Sequence, residues 1–373
     1  MRLCSRRGLA PRLRDWVSPH LECSPLSFLY PGGLADTPLG IHRTEESLWQ
    51  HGVRGVSSDA SKDAPGRAPV TTTTTKVVKK HPRFTYDGKS LRDAMKHCVD
   101  MVQERDYEFY QWCSQLPLKE HRAPVFVLKA LALEIESIQL QARTEMLLKM
   151  RYQWWRDSVG KAFAATQSYE MSQPVMKALS ELIQCHDISR HRVDAMIDAY
   201  EEDALRTRHF GSIEELEDYA QRTVSQLLSL QLEACGMESN ATEHAAMSHL
   251  GKAIGLASSL RGAEAALRNG KSYFPEDICQ RFDATPTDFL VNGGQSVLPD
   301  IAREIAIVAK KHIESSKSLG HSGTVFRIQG LSTEMYLDAL EKANFDIFSS
   351  NMHRNGYLPI EYLLRMKWRF IMT

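Results

Sequence analysis

No run of 18 or more apolar residues occurs in the 373-residue chain, which argues against a membrane-spanning helix and leaves peripheral contact as the form of any membrane association. Cysteine is sparse and unpaired in pattern. The seven (4, 23, 98, 113, 185, 235 and 279) are odd in number, scattered and without a CxxC pair, which speaks against a disulfide framework and a zinc site and fits a reducing compartment. Neither sign of charge is in excess, since Lys plus Arg and Asp plus Glu each total 46, so composition points neither to nucleic acid nor to metal buffering. P-loop, GxGxxG, GxSxG and HExxH patterns are missing, as is any Ser/His/Asp order. No alternating apolar pattern of strand length appears either.

The first fourteen residues, MRLCSRRGLAPRLR, hold five arginines and no acid, interleaved with Leu3, Leu9 and Leu13. This is the pattern of a mitochondrial transit peptide, because the arginines interrupt the continuous apolar run that a secretory signal needs. From Gly32 to Pro82 the chain is rich in Gly, Ser, Pro and Thr and ends in the Thr71 to Thr75 tract and a basic segment, so residues 1–82 are expected to be import sequence and linker. Residues 83–373 form the expected folded domain.

There the period is 3.6 residues almost throughout. Ser90 is expected to cap a helix through Val102, and further helices are expected over 119–142, 144–164, 173–186, 190–206, 213–235, 242–268, 297–318, 332–348 and 358–370. Ser212 to Glu215 reads as a capping box, and Pro275-Glu276-Asp277 as a helix start. Gly251 and Gly255, one turn apart, leave room for a close neighbour. In the last helix Ile360, Leu363, Leu364 and Trp368 share a face that is expected to pack on the bundle, with a membrane interface as the other reading. The fold class is all-α.

The stretch Leu260 to Pro275, LRGAEAALRNGKSYFP, resembles the second signature of squalene and phytoene synthases, LRDxxEDxxxGRxYLP. Leu260, Arg261, Gly270, Lys271, Tyr273 and Pro275 are in register, but Gly262, Ala265 and Ala266 stand where that family keeps carboxylates. In the first signature, aligned as Ala130 to Leu140, Glu136 holds the first acidic place while Ser137 and Leu140 hold the others. Trp154-Trp155-Arg156, Pro174-Val175 with Ala178-Leu179, and Asp218-Tyr219 resemble further family elements in the family's order. RDYEFY (105–110), HAAMSHLGKA (244–253) and FDIF (345–348) are similar to the branch of this superfamily that assists assembly of mitochondrial complex I.

The resemblance implies an isoprenoid synthase bundle in which facing helices present acids at i and i+4 to Mg²⁺, the Lewis acid that draws off a diphosphate. With those acids replaced, it implies a protein without catalytic residues, metal or cofactor. Glu134 and Glu136 lie roughly 200° apart on a helix and cannot share one ion, and at least one is expected to be a solvated surface charge. His244 and His249, roughly 140° apart, are expected to be structural. Trp154 and Trp155 point about 100° apart, so one is expected in the core and one along a groove. Arg261, Arg268, Lys271 and Tyr219 are the candidate ligand-binding remnants, ordinary helix-end cations being the other reading of the first three. The expected partners are complex I subunits or other assembly factors, with peripheral contact at the matrix side of the inner membrane. An isoprenoid or phospholipid ligand is a further possibility, nucleic acid is not expected, and the rival function is a prenyltransferase with unusual ligands.

Overall fold

The computed structural model describes residues 88–142, 144–165, 171–237, 241–291, 296–319, 324–352 and 356–372. The transit peptide and linker expected over 1–82 lie outside the described residues. Among the described residues the regular structure is helical, with no strand. In chain order the helices are α1 (Lys89–Arg105), α2 (Tyr107–Ser114), α3 (Arg122–Gln141), α4 (Glu145–Ala164), α5 (Pro174–Cys185), α6 (Arg190–Ala204), α7 (Ile213–Ala220), α8 (Gln226–Ala234), α9 (Ala241–Arg261), α10 (Ala263–Arg268), α11 (Glu276–Arg281), α12 (Asp288–Val291), α13 (Leu298–Ser318), α14 (Thr324–Arg327), α15 (Leu331–Lys342) and α16 (Pro359–Met372).

The hub is α9, which packs along α13 and against α7, α8 and α15. Its apolar residues serve two adjoining cores: Leu250 and Ile254 join the one built by α1 to α6 and α8, and Ala253, Ala257 and Leu260 join the one built with α7, α11, α13 and α15. The expected close neighbour at its glycines is present. A Cβ on Gly251 would lie 2.4 Å from the Cα of Ser225, and one on Gly255 2.4 Å from the Cβ of Ala220. Ser225 ends a π-type turn over Gln221–Ser225 that joins α7 to α8, so the helix expected over 213–235 carries one wide turn. The Ser225 hydroxyl donates to the Ser248 carbonyl at 2.9 Å, which ties that turn to α9.

Several local expectations need correction. α1 starts before Ser90, whose hydroxyl accepts from the Lys177 ammonium at 2.5 Å instead of capping the helix. The helix expected over 242–268 breaks at Gly262 (φ −87°, ψ 0°), separating α9 from α10. The one expected over 332–348 stops at Lys342 because Asn344 and Phe345 take positive φ. The capping box forms with a shift: Ser212 Oγ accepts from the Glu215 amide at 3.4 Å, but Glu215 reaches the Gly211 amide, at 3.0 Å. α11 follows Pro275 as expected.

The last helix packs by another face than expected. Tyr362 and Met366 are buried and Leu363 and Phe370 partly so, while Ile360, Leu364 and Trp368 point away from the bundle. Sequence period alone located an amphipathic face, but a second set of large apolar residues a third of a turn away supplies the packing surface.

Candidate functional site

The first signature segment lies on α3, a helix buried almost all round because α1, α5 and α8 all pack on it. Glu136 is therefore buried, not solvated as one of the two glutamates was expected to be, and Glu134 is half-buried, accepting from Gln173 Nε2 at 3.4 Å. Among the described residues Glu136 Oε1 has no hydrogen-bond partner. Burial pushes its carboxyl up to about 7; Lys129 and Arg105 pull it down, and Asp106 and Asp203 push it further up. A protonated or a charged Glu136 are thus both accessible near neutral pH.

Glu136 faces a small cavity of about 40 Å³, also lined by Lys129, Glu108, Tyr200 and Tyr362 and, from the π-type turn, by Thr223. That is room for about three water-sized groups, far less than a prenyl chain fills. Lys129 is itself buried and pairs with Asp106 at 2.8 Å, the residue that caps α2 by accepting from the Phe109 amide at 3.0 Å. Ser137 does not face the cavity with Glu136: its hydroxyl donates to the Glu134 carbonyl at 2.9 Å and accepts from Gln141 at 2.9 Å. Leu140 is 40% exposed.

The second segment does meet the first, through a cation instead of acids. Lys271 Nζ donates to Gln139 Oε1 on α3 at 2.9 Å, to the Asp203 carbonyl at 2.9 Å and to Asp203 Oδ2 at 3.4 Å. Asp203, at the end of α6, also accepts from the Tyr273 hydroxyl at 2.6 Å and is buried, which raises its carboxyl even against Lys271 and Arg206. Tyr219 stands in the same group, its ring 6.2 Å from Tyr200, 5.9 Å from Phe210 and 6.4 Å from Tyr273. Lys271 and Tyr219 are thus brought together.

Arg261 and Arg268 are not. Arg261 is partly buried, pairs with Glu108 Oε2 at 3.3 Å, donates to the Ser332 carbonyl at 3.3 Å and lies over the Tyr336 ring at 4.7 Å. Glu108 in turn accepts from the Tyr357 hydroxyl, so this cluster fastens α2, α9, α15 and the approach to α16. Arg268 is exposed and pairs with Glu264 along α10. Ala266 is buried, Ala265 is partly so, and Gly262 forms the break itself.

The residues present do not fit a Mg²⁺ centre. Such an ion takes hard oxygen ligands around an octahedron, whereas here one carboxyl, Glu136, stands at the motif positions and the lysine of the second segment bridges to α3. Among the described residues no three His, Cys, Asp or Glu side chains are grouped so as to hold a metal. His244 and His249 do not come together. His249 instead faces His312, with Nδ1 atoms 2.8 Å apart, and His312 Nε2 lies 3.3 Å from Glu217; one ring of the pair must be a neutral acceptor. Burial, with His312 and Lys252 adding to it, lowers the His249 ring. Trp155 is buried and Trp154 partly so, their rings edge to face at 5.2 Å.

Sequence reasoning passed over Glu108, Lys129, Tyr200 and Asp203. Two of them carried a signal. Lys129 stands alone among apolar residues in APVFVLKALAL, and Asp203 follows Met196 and Tyr200 at helical spacing, on the face those two bury.

The chain matches the squalene/phytoene synthase family over residues 102–359, and it belongs to that family. Its bundle resembles the squalene synthase HpnC of Alicyclobacillus acidocaldarius, with a TM-score of 0.60 and 16% identity over 71% of this chain and 99% of that one. It resembles a dehydrosqualene synthase crystallised with ligand to the same degree, with a TM-score of 0.61 and 16% identity over 76% and 98%. Within the family it is 30% identical over 278 residues to the human NADH dehydrogenase (ubiquinone) complex I assembly factor 6, covering 73% of this chain and 81% of that protein. It is 29% identical over 288 residues to the Drosophila melanogaster homolog, covering 74% and 84%.

Proposed function

We propose that this protein acts in the assembly of mitochondrial respiratory complex I and carries out no prenyl transfer. The observation that carries the reading is the similarity, over about three quarters of the chain, to proteins named as complex I assembly factors. The chemistry at the two signature segments supports it. Drawing a diphosphate off an allylic carbon requires its charge to be neutralised, a term worth several kcal/mol and hence a thousandfold or more in rate. A buried carboxyl pushed up to about 7, on a helix that the second segment meets through a lysine, does not supply two or three clustered hard ligands. The protein is then a matrix-side factor at the inner membrane that binds complex I subunits or other assembly factors, imported by the arginine-rich N-terminus. Arg261 and Lys271 in this reading have become fasteners of the bundle. Tyr219 lines its ring cluster, and Arg268 stays a surface cation.

Two results are expected. Purified protein given Mg²⁺ or Mn²⁺ with farnesyl or geranylgeranyl diphosphate releases no diphosphate above a blank. In cells lacking the protein, a Glu136→Gln, Glu264→Gln double variant restores complex I assembly as fully as the parent, measured by native gel and in-gel NADH oxidation. Metal-dependent diphosphate release, or a folded and abundant double variant that fails to rescue, would favour the prenyltransferase.

A further inference from the structure

The α16 helix presents an apolar edge that the bundle does not use. Its inner side is fixed: Met366 and Tyr362 are buried, the Tyr362 hydroxyl donates to the Glu108 carbonyl at 3.2 Å, and Arg369 pairs with Glu334 on α15. On the outer side Ile360 is 58% exposed, Leu364 63%, Trp368 64% and Ile371 76%. At 100° per residue these four fall within about 80° of one another, and Met372, about 40° beyond Trp368, extends the strip at its far end.

The charges lie along the borders of that strip. On the same wheel Lys367 falls about 20° before Ile360 on one side, and on the other Glu361 falls about 20° beyond Trp368 with its ion-pair partner Arg365 about 60° beyond it. The helix holds three cations, Arg365, Lys367 and Arg369, and one acid, Glu361, which Arg365 pairs with at 2.7 Å. An apolar strip with a tryptophan in it, a lysine along one border and an arginine–glutamate pair along the other is the arrangement of a helix lying in a bilayer interface, where the chains enter the acyl boundary and the polar heads stay at headgroup level. The 14-residue helix is about 21 Å long, shorter than the hydrocarbon layer of about 30 Å, so it can lie along a bilayer but not cross it. Among the described residues no helix is long and apolar enough to span.

We propose that α16 seats the protein on an anionic phospholipid surface, with Ile360, Leu364, Trp368 and Ile371 inserted and Lys367 and Arg365 at headgroup level. The inference deepens the reading of a membrane-side assembly factor and rests on that reading only for which membrane is met. Lys367, whose charge no acid of α16 offsets, selects anionic lipid over a neutral surface, since one such cation contributes about 1 kcal/mol near a negative leaflet.

The test is co-sedimentation of the purified protein with vesicles of phosphatidylcholine alone and of phosphatidylcholine mixed equally with phosphatidylglycerol. The parent is expected to bind the mixed vesicles and to bind the neutral ones about fivefold more weakly. A Leu364→Ser, Trp368→Ser double variant is expected to lose at least tenfold in binding while its helical signal and melting temperature stay unchanged, because neither side chain packs on the bundle. Lys367→Glu is expected to weaken binding to the mixed vesicles alone. A parent that stays in the supernatant with both vesicles overturns the proposal, as does a double variant that binds like the parent. Loss of complex I rescue in the double variant, without vesicle binding by the parent, would assign the strip to a protein partner and overturn the lipid. Vesicle binding and complex I rescue are measured separately, so either reading can fail while the other stands.

Discussion

At about pH 8 Glu136→Gln is expected to be more stable than the parent, and near pH 4.5 the advantage is expected to disappear. The folded state holds the Glu136 proton up to about pH 7, whereas the unfolded chain releases it near 4.5. Between those values the folded protein binds more protons, so this group's contribution to stability is fully present below the unfolded pKa and is lost as pH rises through the folded one. The difference of 7 from 4.5 corresponds to about 3 kcal/mol. Gln keeps the shape and cannot ionise, so it removes the pH dependence of this site and leaves its own packing cost constant. Urea unfolding of both proteins at the two pH values checks this. A gap between them that does not widen by at least about 1.5 kcal/mol from the acidic to the alkaline condition would show that the carboxyl is solvated.

Gly251→Ala is expected to cost more than about 3 kcal/mol, beyond the usual range for an added methyl in a packed core. Its Cβ would meet Ser225 at Oγ (2.3 Å), Cα (2.4 Å) and N (2.6 Å), and two of those atoms are backbone in a turn already tied to α9. No rotamer change relieves such a contact, so α9 must separate from the π-type turn. Gly160→Ala in α4 is the control: the nearest atom to its new Cβ is the end of the Arg190 side chain at 3.5 Å, an ordinary contact. There the helix gains what a mid-helix glycine loses, up to about 1 kcal/mol. Paired denaturation curves of the two variants decide the matter. Equal effects would mean that the approach at Gly251 is not close.

The close approach at Gly251 was legible because two glycines one turn apart on an apolar face have few other uses. The all-α class was legible for a similar reason, the near-unbroken 3.6-residue period. The burial of Glu136 was not. A glutamate on a helix reads as a surface charge unless the helix is known to be covered on every side, and that is set by α1, α5 and α8 packing on α3 from a distance in sequence. The bridge from Lys271 to Gln139 spans 132 residues, so no local pattern reveals it. On α16 the pattern held too much: apolar residues cover most of the circumference, and the side that turns inward is fixed by contacts remote in sequence, Tyr362 with the Glu108 carbonyl and Arg369 with Glu334.

The π-type turn at Gln221–Ser225 lies between α7 and α8. A π-type turn closes i to i+5, one residue wider than an α turn, so removing one residue there would let the segment wind as a regular α-helix with α7 near its present phase and Tyr219 still facing the rings of Tyr200, Phe210 and Tyr273. The extra residue acts locally instead, carrying Thr223 to the cavity and Ser225 against Gly251. A variant one residue shorter at this point is expected to keep the ring cluster and to lose the tie from Ser225 to Ser248.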